Sequence, residues 1–241
     1  MSKKRLDQAL VVRHLVSSRS QAESWIKLGK VKVDNKTIAK AGFFVSDSTH
    51  ITLDAPNQYV SRAGLKLASV ASVLKIDFKK KTVLDVGSST GGFTDFSLQQ
   101  GAKRVIAVDV GTEQLHPSLR RNKKIDLREK TDIRDVMLEE KPDIIVIDVS
   151  FISLREILPY IVKNLAKDTT QIIAMVKPQF EAGKEQASKG VIKNNTIRRE
   201  ILKDFEAWSK ELFVIQDKAD SEVSGSKGNQ ERFYLLHTID Y

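Results

Sequence analysis

Residues 83–93, Val-Leu-Asp-Val-Gly-Ser-Ser-Thr-Gly-Gly-Phe, constrain the fold of this 241-residue chain more than any other stretch. The run Thr82–Val86 is β-branched and apolar apart from one acid, as expected of a strand buried on both faces of a parallel sheet. Gly87, Gly91 and Gly92 then lead into a predicted helix, and glycine there lets the backbone pass close to a ligand. We therefore predict a strand–loop–helix unit that binds a ligand at its loop.

A second strand of the buried type follows this unit and ends in an acid. It is predicted over Arg104–Val108, and Asp109 comes directly after it. In nucleotide-binding α/β folds an acid at this point hydrogen-bonds the ribose hydroxyls of the cofactor. An ordinary tight turn between strand and helix, without a ligand, is the alternative. The two strands together favour a site for a cofactor that carries a nucleoside.

The spacing of the glycines indicates which cofactor binds. A dinucleotide fingerprint that begins at Gly87 requires a second glycine two residues later, but that residue is Ser89. S-adenosylmethionine has no pyrophosphate for the backbone to approach, and Asp85 ahead of the loop suits its cationic amino group. The spacing thus favours a methyltransferase over a dehydrogenase. The predicted cofactor-binding residues are Asp85, Gly87, Ser88, Ser89, Thr90, Gly91, Gly92, Phe93, Asp109, Asp132 and Asp148.

The composition excludes several chemistries. The chain contains no cysteine, which excludes disulfides, thiolate metal sites and the thiolate attack needed to methylate C5 of a pyrimidine. Its four histidines lie far apart without metal-ligand spacing, so we expect no metal. No apolar run approaches the roughly 20 residues of a membrane span, and the basic N-terminus lacks the apolar core of a secretory signal. We therefore expect a cytoplasmic protein without a membrane partner.

Positive charge is concentrated at the start of the chain. Residues 1–60 carry a net charge of +5 and the remaining residues a net charge of +4, which gives the total of +9. A basic module attached to a domain of nearly balanced charge suggests a polyanionic partner. The alternative is a basic surface that only keeps the protein soluble. The residues predicted to contact RNA phosphates are Arg5, Arg19, Lys27, Lys30, Lys32 and Arg62.

The same region has the pattern of a small α+β domain. We predict a helix over Arg5–Val16 and a second helix begun by a capping box at Ser20–Glu23, followed by short strands. The segments Arg5–Leu10, Ser18–Ser20 and Ile26–Val33 resemble the S4 RNA-binding domain of ribosomal and tRNA-binding proteins. A packing module without a ligand is the alternative. We place the S4-like domain at residues 1–55, a linker at 56–60 and the second domain at 61–241.

The second domain alternates strands with helices until two closing strands follow each other without a helix between them. This order predicts a Rossmann-like α/β fold, a mostly parallel sheet of seven strands with one antiparallel strand. Ligands of such sheets lie outside the carboxyl ends of the parallel strands, which is also the edge where an antiparallel strand begins. Asp148 and Lys177 end two strands and Glu231 precedes the last one, so we expect all three to face one crevice.

These crevice residues suggest a ribose methyltransferase. Methylation of a 2′-hydroxyl requires a group that takes or steers the hydroxyl proton, such as a lysine of lowered pKa, and carboxylates that orient it. Lys66, on a helix predicted from Ser61 to about Ile76, is a further candidate. An enzyme that methylates an exocyclic amine is expected to have an Asn/Asp-Pro-Pro-aromatic turn at this point. The chain has Asp148-Val-Ser-Phe151 instead, without the two prolines. A structural ion pair between Asp148 and Lys177 is the alternative.

Over nearly its whole length the chain resembles one known family. The motifs that carry the resemblance are, in order, the S4-like module, Ser61–Lys66, Asp85–Phe93, Asp148–Ser153, Val176–Glu181 and Gly228–Glu231. They resemble the TlyA (haemolysin A) family of FtsJ-like methyltransferases. The resemblance implies S-adenosylmethionine-dependent 2′-O-methylation of cytidine in ribosomal RNA, with a catalytic tetrad of Lys66, Asp148, Lys177 and Glu231. Glu222 is a rival for the last position but lies outside the matching motif.

The resemblance leaves the RNA substrate and the activity to be decided. Longer family members modify the RNA of both ribosomal subunits, so we expect this shorter chain to act on large-subunit (23S) RNA within a ribosomal subunit. One alternative is an RNA-binding, ribosome-associated factor with an inactive methyltransferase domain, and another is a membrane-lytic haemolysin. We also expect a loop over the site at Glu181–Lys193. The sequence is silent on the oligomeric state.

Overall fold

The computed structural model describes residues 3–16, 18–54, 59–182, 191–192, 194–223, 225 and 228–239. Most of the predicted linker at 56–60, and most of the loop predicted at Glu181–Lys193, lie outside these described residues. Within them the chain forms a small N-terminal module followed by a larger α/β unit.

The N-terminal module packs two helices against short strands. Val31 and Val33 are buried while Lys32 between them is exposed, which is the alternation of a strand with one covered face. The covering side chains include Leu10 and Ile26, both fully buried. The elements are β1 (Lys4–Arg5), α1 (Leu6–Val12), α2 (Arg19–Lys27), β2 (Val31–Val33), β3 (Lys36–Thr37), β4 (Phe44–Val45) and β5 (Ile51–Leu53).

The structure corrects both predicted helices of the module. Helix α1 ends at Val12, not Val16, and the Arg13 guanidinium that follows donates to the backbone carbonyl of Thr49 at 2.6 Å. Helix α2 begins after Ser18, whose side chain accepts a hydrogen bond from the amide of Gln21. The capping box predicted at Ser20 is therefore wrong. The helix starts two residues earlier, where Ser18 caps the first free amides.

The α/β unit contains one seven-stranded sheet, as predicted. Its order is β11-β12-β10-β9-β6-β7-β8, and β12 is antiparallel to both of its neighbours while the other strands run parallel. The central strands are continuous runs of buried Val, Ile, Leu and Ala, since helices cover both faces. The strands are β6 (Thr82–Val86), β7 (Arg104–Val108), β8 (Ile125–Arg128), β9 (Ile144–Ile147), β10 (Gln171–Val176), β11 (Phe213–Asp220) and β12 (Arg232–Thr238).

The helices of this unit differ in length from the predictions. They are α3 (Arg62–Ala71), α4 (Gly92–Gln99), α5 (Pro117–Arg120), α6 (Leu158–Tyr160), α7 (Pro178–Glu181) and α8 (Asn195–Ser209). The single helix predicted from Ser153 to Leu165 is instead a 3₁₀ turn at Leu154–Glu156, then α6, then a π-helical turn at Ile161–Leu165. Pro159 explains the irregularity, because proline supplies no amide hydrogen and restricts the residue before it.

The core of the N-terminal module is continuous with one face of the large sheet. The apolar cluster that contains Ile26 also contains Tyr59, Phe96 and Phe233. The rings of Tyr59 and Phe96 lie 5.6 Å apart, and the carbonyl of Tyr59 accepts a hydrogen bond from the side chain of Gln21 at 2.9 Å. The two modules are thus joined by buried contacts as well as by the chain.

Candidate active site

The loop between β6 and α4 carries the glycine motif. Gly87 has φ +80°, and a Cβ there would lie 2.6 Å from the carbonyl oxygen of Asp148. Only glycine lets the loop pass this close to the end of β9. Gly91, at φ +91°, precedes α4, and a Cβ there would lie 2.6 Å from methyl groups of Leu115 and Leu119. Close packing on both sides therefore fixes the shape of the loop.

A cavity of about 360 Å³ opens beside this loop, at the carboxyl ends of the parallel strands. Its walls include Gly87, Ser89, Asp109, Asp132 and Asp148, all predicted cofactor residues. The carboxylate of Asp109 accepts hydrogen bonds of 2.7 Å from the amides of Ser89 and Gly111, and carboxylate oxygens retain lone pairs for further donors. The cavity has the position and the size expected for a nucleoside-bearing ligand.

A narrower cleft continues from the cavity past Asp148, lined among others by Ser88, Thr90 and Phe93. Asp85 lies at its base, fully buried, and one of its oxygens accepts a hydrogen bond of 2.6 Å from Thr94. Its other oxygen meets no hydrogen-bond donor among the described residues.

The environment of Asp85 fits a cationic ligand. Burial, and secondarily the charge of Asp148, raises the pKa of Asp85 to about 7. A buried carboxylate with an unused oxygen lowers its free energy when a positively charged group approaches it. The cationic amino group of S-adenosylmethionine is such a group, so the residues present fit this cofactor.

Three predicted cofactor residues have additional or different contacts. Gly91 and Gly92 do not line either space described above; Gly92 packs against the start of α3, where a Cβ would collide with Ala63. Asp132 does line the cavity, but its carboxylate is held by the Arg134 guanidinium, which lowers the pKa of Asp132. Sequence spacing identifies the loop, but it does not separate ligand contacts from packing contacts.

Lys177 and Asp148 form the first lysine–carboxylate pair of the tetrad. Lys177 follows β10, and its Nζ lies 2.7 Å from Oδ1 of Asp148 and donates to the hydroxyl of Ser150 at 2.7 Å. Both side chains are mostly buried but remain 10% and 16% exposed. Because Asp148 also lines the cavity, this pair lies at the border of the cavity.

Lys66 and Glu231 form the second pair. Nζ of Lys66, on the inner face of α3, lies 2.5 Å from Oε2 of Glu231, and the Glu231 side chain is only 3% exposed. Glu222, the rival considered above, is exposed on the surface. The ion pair with Lys66 thus belongs to Glu231.

The sheet register connects the two pairs. In the antiparallel pairing of β10 with β12, Val176 lies opposite Arg232. Continuing this register by one residue places Lys177 opposite Glu231, at the edge where both strands meet the crevice. The prediction that Asp148, Lys177 and Glu231 share one edge of the sheet agrees with this arrangement.

Two neighbours of the tetrad were not predicted. Glu181, at the end of α7, is buried and accepts hydrogen bonds from the Ser153 hydroxyl at 2.6 Å and the Leu154 amide at 2.8 Å. Burial raises the pKa of Glu181, opposed by these hydrogen bonds. Phe151 is 92% exposed at φ +68° and its ring lies 5.3 Å from that of Phe180. An aromatic side chain held in a strained, exposed turn is a signal available only from the structure.

The six predicted RNA-binding residues fall into three groups. Arg5 and Arg19 both contact Asp7. Lys27 and Arg62 line a groove of about 260 Å³ between the two modules, near the segment that precedes Glu231. The remaining two, Lys30 and Lys32, are exposed on and beside β2. The structure therefore leaves the basic residues accessible but does not gather them at one point.

The parallel sheet, the glycine loop at its carboxyl edge and the adjacent cavity define an α/β methyltransferase fold with an added N-terminal module. The FtsJ-like methyltransferase model matches residues 59–238 and the S4 domain model matches residues 4–51. The chain belongs to the TlyA (haemolysin A) family of FtsJ-like methyltransferases.

Relatives of known name support this assignment. The chain is similar to the "23S rRNA (cytidine-2'-O)-methyltransferase TlyA" of Campylobacter jejuni, with 46% identity over 73% of this chain and 70% of the relative. It is 38% identical to the "16S/23S rRNA (cytidine-2'-O)-methyltransferase TlyA" of Mycobacterium tuberculosis, over 97% of this chain and 90% of the relative. It is also 37% identical to "Hemolysin A" of Brachyspira hyodysenteriae, over 98% and 99% of the two chains.

A solved structure is similar to this chain over its whole length. The protein from Streptococcus thermophilus named as a hemolysin has 36% sequence identity and a TM-score of 0.73, over 100% of this chain and 90% of that one. Among the residues that the structure describes, no helix has the length and apolar character needed to cross a membrane. The same described residues contain no group of three or more His, Cys, Asp or Glu placed to hold a metal ion.

Proposed function

We propose that this protein transfers a methyl group from S-adenosylmethionine to the 2′-hydroxyl of a cytidine in large-subunit (23S) ribosomal RNA. The observation that carries the proposal is the pair Lys177–Asp148, which borders the cofactor-sized cavity and lies at the same edge of the sheet as Lys66–Glu231. Two relatives whose names specify cytidine-2′-O-methylation of ribosomal RNA support the choice of substrate. An enzyme with this substrate works in the cytoplasm, on a ribosomal subunit.

The residues on the two sides of Asp148 have different roles, one set in binding the cofactor and the other in orienting the ribose hydroxyl. The loop residues Gly87 and Ser89, with Asp85 and Asp109, would hold the cofactor in the cavity and cleft. When bound there, S-adenosylmethionine supplies an electrophilic methyl group. The lysine–carboxylate pairs can orient the ribose hydroxyl by hydrogen bonds and receive or steer its proton as the oxygen is methylated. Their burial excludes water, which strengthens these interactions.

The surroundings of the tetrad favour a nucleotide as the second substrate. Phe151 presents an exposed ring that contacts Phe180, whose own ring lies 5.9 Å from Nζ of Lys177, and unstacked bases of RNA bind to aromatic rings by stacking. Lys27 and Arg62 lie in the groove that leads from the N-terminal module toward the segment before Glu231. The ammonium and guanidinium groups of these two residues can contact the phosphates of a chain that reaches the tetrad, while Glu23 and Glu222 in the same groove offset part of their charge.

The proposal is tested by incubating the protein with labelled S-adenosylmethionine and isolated small and large ribosomal subunits, followed by mapping of the modified nucleotide. We expect label on the ribose of one cytidine of the large subunit. Label on both subunits would show that the enzyme methylates the RNA of both subunits and not of the large subunit alone. Cofactor binding without label on either subunit would instead favour an RNA-binding factor with an inactive methyltransferase domain.

A further inference from the structure

Two arginines of the N-terminal module share one buried carboxylate. Asp7 is fully buried and accepts hydrogen bonds of 3.0 and 3.1 Å from Nε and Nη2 of Arg5. It also accepts hydrogen bonds of 2.8 and 3.3 Å from Nη2 and Nε of Arg19. Burial opposes ionisation of Asp7, but these hydrogen bonds outweigh it and hold the pKa of Asp7 below its ordinary value. The module thus fixes two guanidinium groups around one anion.

This cluster retains the capacity to bind a second anion. Asp7 neutralises one of the two positive charges, and Glu23, four residues after Arg19 on α2, also acts on Arg5, so the capacity for a second anion depends on the remaining donors of the guanidinium groups. Each guanidinium has five N–H donors and directs two of them at Asp7, and within the described part of the chain no hydrogen bond to another residue uses the other three. The side chains of Arg5 and Arg19 are 41% and 53% exposed, so those donors are within reach of a ligand.

Strand β4 places an aromatic ring beside the cluster. Arg5 pairs directly with Phe44 across β1 and β4, so the two side chains lie on the same face of this ribbon. Gly42 lies in the turn before β4, and a Cβ there would lie 3.3 Å from Nη1 of Arg5. The missing side chain at Gly42 therefore provides the space in which the Arg5 guanidinium lies. Phe44 itself is 61% exposed.

We propose that Phe44 and the Arg5–Asp7–Arg19 cluster form one binding site for an unpaired RNA nucleotide. Its phosphate binds to the two guanidinium groups and its base stacks on the Phe44 ring. Asp7 is the positioning residue of this site. The inference rests on the proposed RNA substrate and adds that the RNA presents a second, unstacked nucleotide to the N-terminal module, apart from the nucleotide that is methylated.

The stacking part of the site is tested with the full chain and two probes. The probes are a labelled single-stranded RNA of about 12 nucleotides and a blunt duplex of the same sequence. We expect Phe44→Ala to weaken single-strand binding at least about 5-fold, because stacking on an aromatic ring contributes about 1–3 kcal/mol per base. Duplex binding should not change, since paired bases have no free face.

Matched variants separate stacking from a general loss of apolar surface. Phe44→Tyr keeps the ring and should restore single-strand affinity. Val12→Ala removes an exposed apolar side chain of α1 on the same module and should leave both affinities unchanged. Equal losses on single strand and duplex, or no loss for Phe44→Ala, would overturn the assignment of Phe44.

The phosphate part is tested by the salt dependence of binding. Arg19→Gln should lower the slope of log K against log salt by about 0.7, the value for one phosphate contact on a single strand. Because this change leaves buried Asp7 with fewer partners, Gly42→Leu provides a second variant that displaces the Arg5 guanidinium without changing any charge. We expect weaker single-strand binding by Gly42→Leu in a chain that unfolds at the wild-type temperature. Unchanged binding by both variants would refute the cluster as a phosphate site.

The outcome is distinguishable from that of the proposed function. Methyl transfer to ribosomal subunits together with no effect of Phe44→Ala on binding refutes the nucleotide site alone. A Phe44-dependent affinity for single-stranded RNA in a chain that transfers no methyl group supports the site and refutes the proposed reaction. Competition by polyglutamate as strong as competition by RNA would also overturn the site, because a carboxylate polymer has no base to stack.

Discussion

The cofactor side and the tetrad side of the crevice are assembled in different ways. The cofactor side comes largely from one contiguous stretch, β6 through α4, whose loop is shaped by close packing at Gly87 and Gly91. The tetrad side takes its four side chains from α3, from the ends of β9 and β10 and from the segment before β12. The first is a local structure, whereas the second exists only when the whole sheet has its correct order.

This difference predicts that substitutions on the two sides have different effects. Substitutions in the glycine loop should change stability and cofactor affinity, because the loop is the proposed binding surface for the cofactor. Substitutions among the tetrad should change the rate of methyl transfer while cofactor affinity remains. Asp148 belongs to both sides, since it lines the cavity and pairs with Lys177, so its variants should show both effects.

The largest effect should follow loss of a tetrad lysine. We expect Lys177→Ala, and likewise Lys66→Ala, to lower the rate of methyl transfer by about 10³-fold or more, because the group that steers the hydroxyl proton is removed. Cofactor affinity, measured by titration calorimetry, should stay within about threefold of wild type.

A lysine outside the crevice provides the control for this prediction. Lys79 is exposed before β6, and Lys79→Ala should behave as wild type. Because Lys66 is buried against Glu231, its variant must first be shown to unfold at a temperature near that of wild type. Normal turnover by both tetrad variants would show that the pairs are structural.

Glu181 tests how the tetrad side is held in place. Glu181→Ala removes the hydrogen bonds that tie the turn after Asp148 to the end of α7, and should lower kcat/KM for RNA by about 100-fold, because misplacement by an ångström has this cost. Glu181→Gln keeps an acceptor for the Leu154 amide and should recover most of the activity. The values of kcat and KM are measured separately for both variants.

A neighbouring carboxylate controls for charge. Glu156 is exposed in the same segment, and Glu156→Ala should retain wild-type kinetics. If Glu181→Gln is as impaired as Glu181→Ala, the negative charge rather than the hydrogen bonding of Glu181 matters, and the positioning role is wrong.

Gly91, on the cofactor side, has a matched control in Gly101, which lies between α4 and β7 and has a similar backbone conformation. Gly91 and Gly101 have φ of +91° and +87°, but a Cβ at Gly91 would collide with Leu115 and Leu119, whereas one at Gly101 meets nothing closer than 3.7 Å. Gly101→Ala should lower the free energy of unfolding by about 1 kcal/mol through backbone strain alone. Gly91→Ala should lower it by about 2 kcal/mol more through overpacking. Urea unfolding measures both, and equal losses would contradict the packing role of Gly91.

The sequence contains enough information for the sheet and for the ends of its strands. Buried runs of Val and Ile mark β6, β7, β9 and β10, and the residue after each run is then placed at the ligand edge by topology alone. This is why the structure has Asp148 and Lys177 at the predicted edge. The partners within the tetrad were not predictable in the same way, because pairing Lys66 with Glu231 requires the packing of α3 against the sheet.

Other features depend on contacts that no local pattern reveals. Glu181 lies far along the chain from Ser153 and Leu154, and its role follows only from side-chain-to-turn hydrogen bonds. In the sequence, Asp7 is an ordinary polar residue near the start of a helix. It is nevertheless fully buried, because Arg5 and Arg19 compensate its charge. Ionic partners and strained turns therefore need the tertiary structure, whereas strand edges do not.

The smallest predicted effect concerns the pH dependence of the cofactor side. Burial raises the pKa of Asp85 to about 7 in the folded protein without cofactor, well above its value in an unfolded chain. A cationic ligand prefers the ionised carboxylate, so cofactor affinity should rise with pH and level off above about 7. Between pH 6 and pH 8 the expected increase is about 10-fold, as one proton is released per ligand bound near pH 6. Titration calorimetry in buffers of different ionisation enthalpy measures both affinity and proton release.

The same carboxylate has the opposite effect on the stability of the cofactor-free protein. Because the folded pKa is raised, the contribution of Asp85 to stability is fully present below about pH 4 and is lost as pH rises toward and through 7. Asp85→Asn cannot ionise, so it should remove this component of the pH dependence and also the proton release on cofactor binding. Wild-type proton release retained in Asp85→Asn would assign the titration to another group and would place the cationic group of the cofactor away from Asp85.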